Sequence, residues 1–307
     1  CKKVTIADRL AEMVTPLFNK AATGVVVPTL DAWSAAFGYT LQLYFDFSGY
    51  SDMAIGLAWM FGIRLPINFF SPYKATSIID FWRRWHITLS SFLRDYLYIP
   101  LGGNRQGPVR RLVNIFLTMF IGGVWHGAGW TFLFWGFLHA AAITVNHLWR
   151  SLGGELAARL GRFRAWRVAA GLLTLLFVVA AWVCFRARDM ATAVLLWQSM
   201  FGIGGLSLPA NWSGLFGWLP EGWAVFAGKQ SGTLFGWLAG LLPFVFLAPN
   251  TAEVFAHGPG FCHPPPAAVG SRLRWAPTPA WCAATVVLFV VALASMSTIS
   301  EFLYYQF

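Results

Sequence analysis

Residues 168–185 and 280–298 contain no Asp, Glu, Lys or Arg. As helices rising about 1.5 Å per residue, each is just long enough to cross the hydrocarbon of a bilayer. Backbone polar groups in lipid must be satisfied within their own segment, so a chain with such runs is restricted to membrane helices or a closed barrel. Their length selects helices. Composition agrees: 57% of the 307 residues are hydrophobic, 17% aromatic and 11% charged, against about 25% charged in soluble domains. Length alone would allow two soluble domains. The apolar runs argue instead for one all-α membrane domain over residues 1–307.

Further spans are expected. Residues 232–249 form a third apolar segment, which Pro243 is expected to kink. Residues 112–149 carry no acid or base except His126, His139 and His147, and read as two helices joined at Gly127 and Gly129. Residues 24–45 and 47–62 are weaker spans, interrupted by Asp31, Asp46 and Asp52. The chain opens CKKVTIADRL, without an initiator Met or a leader pattern. A mature lipoprotein begins with Cys, but the expectation here is that preceding spans are missing.

The formal charge is +10, from 22 Lys and Arg against 12 Asp and Glu. The cations cluster in short connections, eight within 64–111 and five within 150–167, where they fix orientation with those segments cytoplasmic. Residues 250–278, with Arg272 and Arg274, return to the same side, leaving 203–231 and the C-terminus outside. This distribution excludes nucleic acid as a partner. Cys1, Cys184, Cys262 and Cys282 form no C-x-x-C pair and define no redox compartment. The HPPPAA stretch at 263–268 reads as a loop.

Residues 78–96 differ from a span. Ile78, Phe81, Trp82, Trp85, Leu89, Phe92, Leu93 and Tyr96 recur at three- and four-residue steps, which predicts one helix with a single apolar stripe. Arg83, Arg84, Arg94 and Asp95 fall off the stripe. Such a helix lies at the membrane interface or packs sideways into the bundle.

Chemistry is sought among six histidines. An ionisable side chain inside a membrane is costly and marks a functional candidate. His126 lies about 20 Å along a helix beginning at Leu112, in GGVWHGAGW, where glycines permit close backbone approach and Trp125 and Trp130 are placed to line a pocket. A neutral imidazole there can take a proton from an alcohol attacking an ester or thioester. The competing reading is a packed histidine bonded to a helix carbonyl. His86, in DFWRRWHITLSSFLRDY, has Ser90 as its expected helical neighbour and Arg83 one turn earlier. Read from its residues alone, it belongs to a basic, lipid-facing surface.

His139 and His147 are eight residues apart, about 80° around one helix, which is wrong for a ligand pair. No H-E-x-x-H or cysteine cluster accompanies them, so no metal site is expected. His257 and His263 have no partner pattern. Phosphate loops and the G-x-S-x-G elbow are absent from the sequence. Asp46 and Asp52, flanking FSGYSD, read equally as polar glue between helices or as cavity lining.

At CKKVTIADRL, YFDFSGYSDMAIGLAWMFGIRLPINFFSPY, DFWRRWHITLSSFLRDYLYIPLGGNR and FIGGVWHGAGWTFLFWGFLHA the sequence resembles the membrane-bound O-acyltransferase family. The branch is the one that includes alginate O-acetyltransferases and the D-alanyl transfer protein of teichoic acid synthesis. PNTAEVF and the terminal EFLYYQF match more weakly. The resemblance is close over residues 1–149. It implies a polytopic transmembrane bundle with interfacial and re-entrant helices around a central funnel, in the bacterial inner membrane.

By the same resemblance, the essential histidine of the WHG motif falls on His126 and that of the RWHITLS motif on His86. His126 then acts as general base on the accepting hydroxyl, while His86 orients the donor or stabilises developing charge. Trp125, Trp130, Arg83, Arg84, Ser90 and Asn104 make up the expected substrate-facing set. Arg83, Arg84 and Arg105 suit an anionic donor, although orientation alone also explains them. No bound cofactor is expected. The donor is acetyl-CoA or another acyl thioester, and the acceptor a polysaccharide or a periplasmic acyl-accepting partner protein. The rival classes are a transporter or flippase with proton-relay histidines, and an inactive truncated acyltransferase.

Overall fold

The computed structural model describes residues 1–205, 207–208, 213–216, 225–226, 230–255 and 273–296. Apart from one two-residue parallel ladder, Ser207–Leu208 with Val225–Phe226, all regular structure among them is helical. Cys262, His257, His263, the 263–268 loop, Arg272 and the terminal EFLYYQF lie outside the described residues.

Helix α1 (Asp8–Ala22) follows a π-helical stretch, Lys2–Ala7, and buries Leu10, Val14, Phe18 and Ala21 along one stripe. It packs on α2 (Thr29–Met60), whose residues from Ser34 to Gly49 are buried almost without a break. Two weaker spans were expected here, and the structure corrects them to one helix. Two of the interrupting acids, Asp46 and Asp52, are met by lysines: Lys3 Nζ lies 2.7 Å from Asp46 and 3.0 Å from Asp8, and Lys2 Nζ lies 2.7 Å from Asp52. Neutralised carboxylates are no reason for a helix to end. At about 1.5 Å per residue α2 outruns a bilayer of about 30 Å, and its last turn leaves Met60 exposed.

The single helix expected over 78–96 is likewise corrected. It is broken into α3 (Ile78–Trp82), α4 (Ile87–Leu93) and a π-helical turn, Arg94–Tyr98. At the break His86 takes a left-handed backbone, φ 44°, which costs a non-glycine residue roughly 1–2 kcal/mol. The chain there bonds to a neighbour instead of to itself. Phe70 N donates to Arg84 O at 2.9 Å and Ile87 N to Asn68 O at 3.0 Å.

Helices α5 (Gly107–His126) and α6 (Trp130–Leu152) form the expected hairpin around Gly127 and Gly129. Their backbones touch at Gly123 and Gly136, where a Cβ on Gly123 would stand 2.6 Å from the Gly136 Cα. Small residues at a crossing are what allow such contact. Gly123→Ala is expected to force the pair apart and to cost about 1–3 kcal/mol. An unchanged thermal midpoint for the purified variant would count against this.

The short α7 (Gly154–Leu160) leads into α8 (Arg164–Arg186), the one helix among the described residues that is long and apolar enough to cross a membrane, with mean hydropathy 2.5. Helix α9 (Met190–Met200) starts at Asp189, which accepts the Thr192 N–H at 2.8 Å. The four-residue α10 (Ser213–Phe216) precedes α11 (Gln230–Leu247), which contains Pro243. A capping box at Asn250 and Glu253 opens α12 (Thr251–Val254). Helix α13 (Pro279–Ala294) buries none of its residues.

Contacts sort the connections into two ends. At one end Lys74 Nζ donates to Ala248 O (2.9 Å), Asn250 Nδ2 to Ser71 Oγ (2.8 Å) and Arg111 to His147 Nδ1 (2.8 Å). At the other, Thr29 N donates to Gly205 O (3.0 Å), Trp33 Nε1 to Met200 O (2.9 Å), and Arg186 lies over the Phe18 ring. The cation-rich connections meet at the first end.

Candidate active site

Between the two ends lies an aromatic core. Trp182 of α8 stacks on Trp135 of α6 at 5.5 Å and touches Trp85 at 5.1 Å, while Phe81 stacks on Trp85 at 5.7 Å. His139 is fully buried in this core and its Nδ1 accepts the Trp82 indole N–H at 3.2 Å. Its position is that of a clasp between α6 and α3.

His126 ends α5 at the rim of the same core. Its ring meets Trp135 and Phe185 edge-on, both at 5.2 Å, and Trp125 at 5.1 Å. It is partly exposed rather than sealed. Trp125 and Trp130 stand on the surface beside it, 62% and 77% exposed, so they flank the imidazole instead of enclosing it. His126 and His139 both pack against Trp135, with ring centroids 5.2 and 4.8 Å away.

His86 is held by Asn68, a residue that periodicity gave no reason to select. The Thr88 backbone N–H and hydroxyl both donate to Asn68 Oδ1, at 3.3 and 2.9 Å, and His86 Nδ1 lies 3.1 Å from the same oxygen. A backbone N–H can only donate, which fixes the amide orientation of Asn68. His86 Nδ1 must then carry the proton that meets Oδ1, and Nε2 is left with its lone pair. Phe47 supports the ring edge-on at 4.7 Å. The left-handed backbone at His86 thus presents an oriented imidazole.

Ser90 does not bond the His86 side chain as its expected helical spacing suggested. With the helix broken, its hydroxyl donates to Trp82 O at 3.1 Å. Arg84 is paired with Asp80 at 2.8 Å. Arg83, Ser90 and Asn104 do come together, with Arg94 and Arg111, around a cleft of about 920 Å³ that opens at the cation-rich end. Arg105 is exposed and lies off the cleft. The cleft wall includes Ile87, next to His86, and Met119, two turns before His126. Among the described residues there is no cluster of three metal-ligating side chains.

Asp46 and Asp52 tie segments together, and Asp52 also lines a small cavity beside Lys2 and Thr251. Lys2 and Asp52 share Thr251 at 2.8 and 2.9 Å, Asn68 Nδ2 reaches Ser51 at 3.3 Å, and Asn250 reaches Ser71. One polar seam therefore joins four stretches that were separate in the sequence: CKKVTIAD, FDFSGYSD, INFFSPY and PNTAEV.

An apolar helical chain that brings imidazoles to the rim of an aromatic core has the character of a membrane protein with a histidine-based site. The chain belongs to the membrane-bound O-acyltransferase family, whose model matches residues 10–194. It is 39% identical over its full length to the probable alginate O-acetylase AlgI of Pseudomonas aeruginosa, covering 61% of that protein. It is 49% identical over 67% of its length to the peptidoglycan O-acetyltransferase of Helicobacter pylori, covering 38% of it. Over 35% of its length it is 35% identical to the teichoic acid D-alanyltransferase of Bacillus subtilis, covering 29%. The chain thus spans less than two thirds of each relative.

Proposed function

We propose that the protein containing this chain is a multi-pass inner-membrane O-acyltransferase, moving an acetyl or similar short acyl group from a cytoplasmic thioester to a hydroxyl beyond the membrane. The carrying observation is His126, a partly exposed imidazole at the end of an apolar helix and at the rim of the aromatic core. The relatives named for O-acetyl and D-alanyl transfer support the same chemistry. The hydroxyl oxygen attacks the thioester carbonyl carbon while His126 takes its proton; the carbon–sulfur bond breaks, and His126 returns the proton to the departing thiolate.

The cleft at the cation-rich end suits the donor. Its volume falls in the range of about 300–1,000 Å³ usual for small-molecule sites, and Arg83 and Arg111 favour a phosphate-bearing thioester such as acetyl-CoA, while Arg94 is paired with Asp95 at 2.7 Å. His86, with its Nε2 lone pair, is fitted to accept a hydrogen bond from the donor. That role is favoured over stabilising negative charge, which would need a proton on Nε2. Asn68→Ala is therefore expected to lower transfer by about 10²-fold through misplacement of the ring. Asn68→Asp, which keeps the Oδ1 acceptor that meets His86 and Thr88, should retain more of it, and wild-type rates in the alanine variant would remove this assignment. The acceptor is an extracellular polysaccharide or an acyl-carrying periplasmic protein.

The test is the acetyl content of the extracellular polymer in cells carrying the full-length protein, wild type or His126→Ala. Loss of acetylation at normal protein level supports the enzyme. Unchanged acetylation, or a proton-gradient-dependent flux without acyl product, supports a transporter and removes it.

A further inference from the structure

Two Trp–Arg pairs stand on neighbouring helices at the cation-rich end. Trp149 and Arg150 lie near the end of α6, Trp166 and Arg167 in the first turn of α8, and the two indoles meet at 6.1 Å. All four line a groove of about 820 Å³. It is separate from the donor cleft: α6 turns Asn146 and Trp149 to the groove and Ile143 and His147 to the cleft, and no residue lines both.

The groove is apolar along its length and cationic at its mouth. Trp166 and Phe177 on its α8 wall are eleven residues apart, about 16 Å of rise. That is the depth of one leaflet in a hydrocarbon core about 30 Å thick. Val145 and Leu173 on its walls are 63% and 71% exposed, and α8 is the helix long and apolar enough to cross a membrane. Tryptophan and arginine where such a helix begins mark the level of the headgroups.

The charge at the mouth is not met from within. No acid lines the groove; of the acids nearby, Asp80 is paired with Arg84 at 2.8 Å and Glu155 with Arg159 at 3.4 Å. Among the described residues neither Arg150 nor Arg167 forms an ion pair, and Arg150 reaches the Ser77 hydroxyl only at 3.5 Å. The negative end of α6 and the positive end of α8 offset one another there. Asn146 Oδ1, on the wall, is buried without a hydrogen-bond partner among the described residues. By turning over, that amide can meet either a phosphate ester or a headgroup hydroxyl.

Uncompensated guanidiniums beside an apolar wall one leaflet deep match an anionic phospholipid. We propose that the groove is a binding site for one: Arg150 and Arg167 hold its phosphate, the two indoles and Asn146 flank its glycerol backbone, and an acyl chain follows α8 past Leu173 to Phe177. A further helix of the longer protein would cover the wall but leave two guanidiniums without an anion. A soluble phosphate compound would fill the mouth and leave the wall bare. The inference rests on the membrane setting of the family and not on acyl transfer.

The test uses the full-length protein in neutral detergent, titrated with phosphatidylglycerol or phosphatidylcholine of the same acyl chains and read by native mass spectrometry. Phosphatidylglycerol is expected to bind about 10- to 30-fold more tightly, the worth of two arginines at a headgroup. Arg150→Gln with Arg167→Gln should bring the two lipids level. Arg162→Gln with Arg164→Gln removes the same charge from exposed positions off the groove and should leave the difference intact. Ala158→Trp fills the groove from an exposed position with both arginines in place, should weaken phosphatidylglycerol binding, and decides the matter if the double arginine variant does not fold. The site is overturned if wild type binds both lipids equally, if the Arg162 and Arg164 variant loses the preference as fully as the groove variant, or if Ala158→Trp binds as wild type does. Displacement of phosphatidylglycerol by coenzyme A or inorganic phosphate overturns it in favour of a soluble ligand. Failure of wild type to retain any lipid overturns it in favour of a groove closed by other residues of the full-length protein. None of these outcomes bears on acyl transfer, which the acetyl content of the polymer tests separately.

Discussion

Replacing His126 by alanine is expected to lower acyl transfer by about 10²–10⁴-fold, the usual contribution of a positioned general base, with no loss of folded protein. The ring sits at the rim of the aromatic core rather than inside it, so truncation leaves Trp135, Trp182 and Phe185 packed on one another. His139 provides the contrast. It is enclosed and bonded to Trp82, so His139→Ala opens a cavity and strands an indole N–H. Its effect should register in thermal stability, whereas His126→Ala should register in turnover. Equal loss of stability in both variants would count against a catalytic His126.

The second large effect is expected at the N-terminal seam. Asp46 is 1% exposed and its carboxylate is met by Lys3, so Lys3→Ala leaves a buried charge without its cation. Breaking a buried pair from one side costs about 3–5 kcal/mol, a large share of the stability of most domains. Removing both charges together, as Lys3→Met with Asp46→Leu, should recover most of that loss, because the penalty belongs to the stranded ion and not to the missing attraction. The check is a double-mutant cycle of unfolding midpoints in detergent. Additive losses would show that the two residues are not coupled.

These cases show which features can be seen in the sequence. The α5–α6 hairpin was legible because glycines interrupt a long uncharged run at the point where the chain turns, and His126 stands at that turn. The uncharged run inside α8 was legible from composition alone. The break at His86 was not. Ile78, Phe81, Trp82, Trp85, Leu89 and Leu93 are all buried, so the apolar period runs on across a residue whose backbone leaves the helix. Only Phe92 and Tyr96, which the stripe placed inside, lie exposed. The continuity of α2 was hidden for a different reason. Asp46 and Asp52 look like interruptions until their lysines, more than forty positions earlier, are brought beside them.

Asn68 carried no local signal at all. Its backbone oxygen and side chain matter because of what crosses them in space, and its place in a stretch shared with a family was the only hint. Of the residues expected to face substrate, Arg83, Ser90 and Asn104 share one cleft, Trp125 and Trp130 flank His126, and Arg84 is engaged by Asp80. The Trp149–Arg150 and Trp166–Arg167 pairs were not singled out from the sequence, since Arg150 and Arg167 look like ordinary cations flanking a span.

The contact of Gly123 with Gly136 bears on how such a protein would cycle. Two helices whose main chains abut leave no slack for sliding or rocking, and the imidazole at the tip of one is carried by both. Turnover would then require the small acyl group to migrate past an α5–α6 pair that moves as one piece, in the manner of a fixed-bed reactor rather than a revolving door.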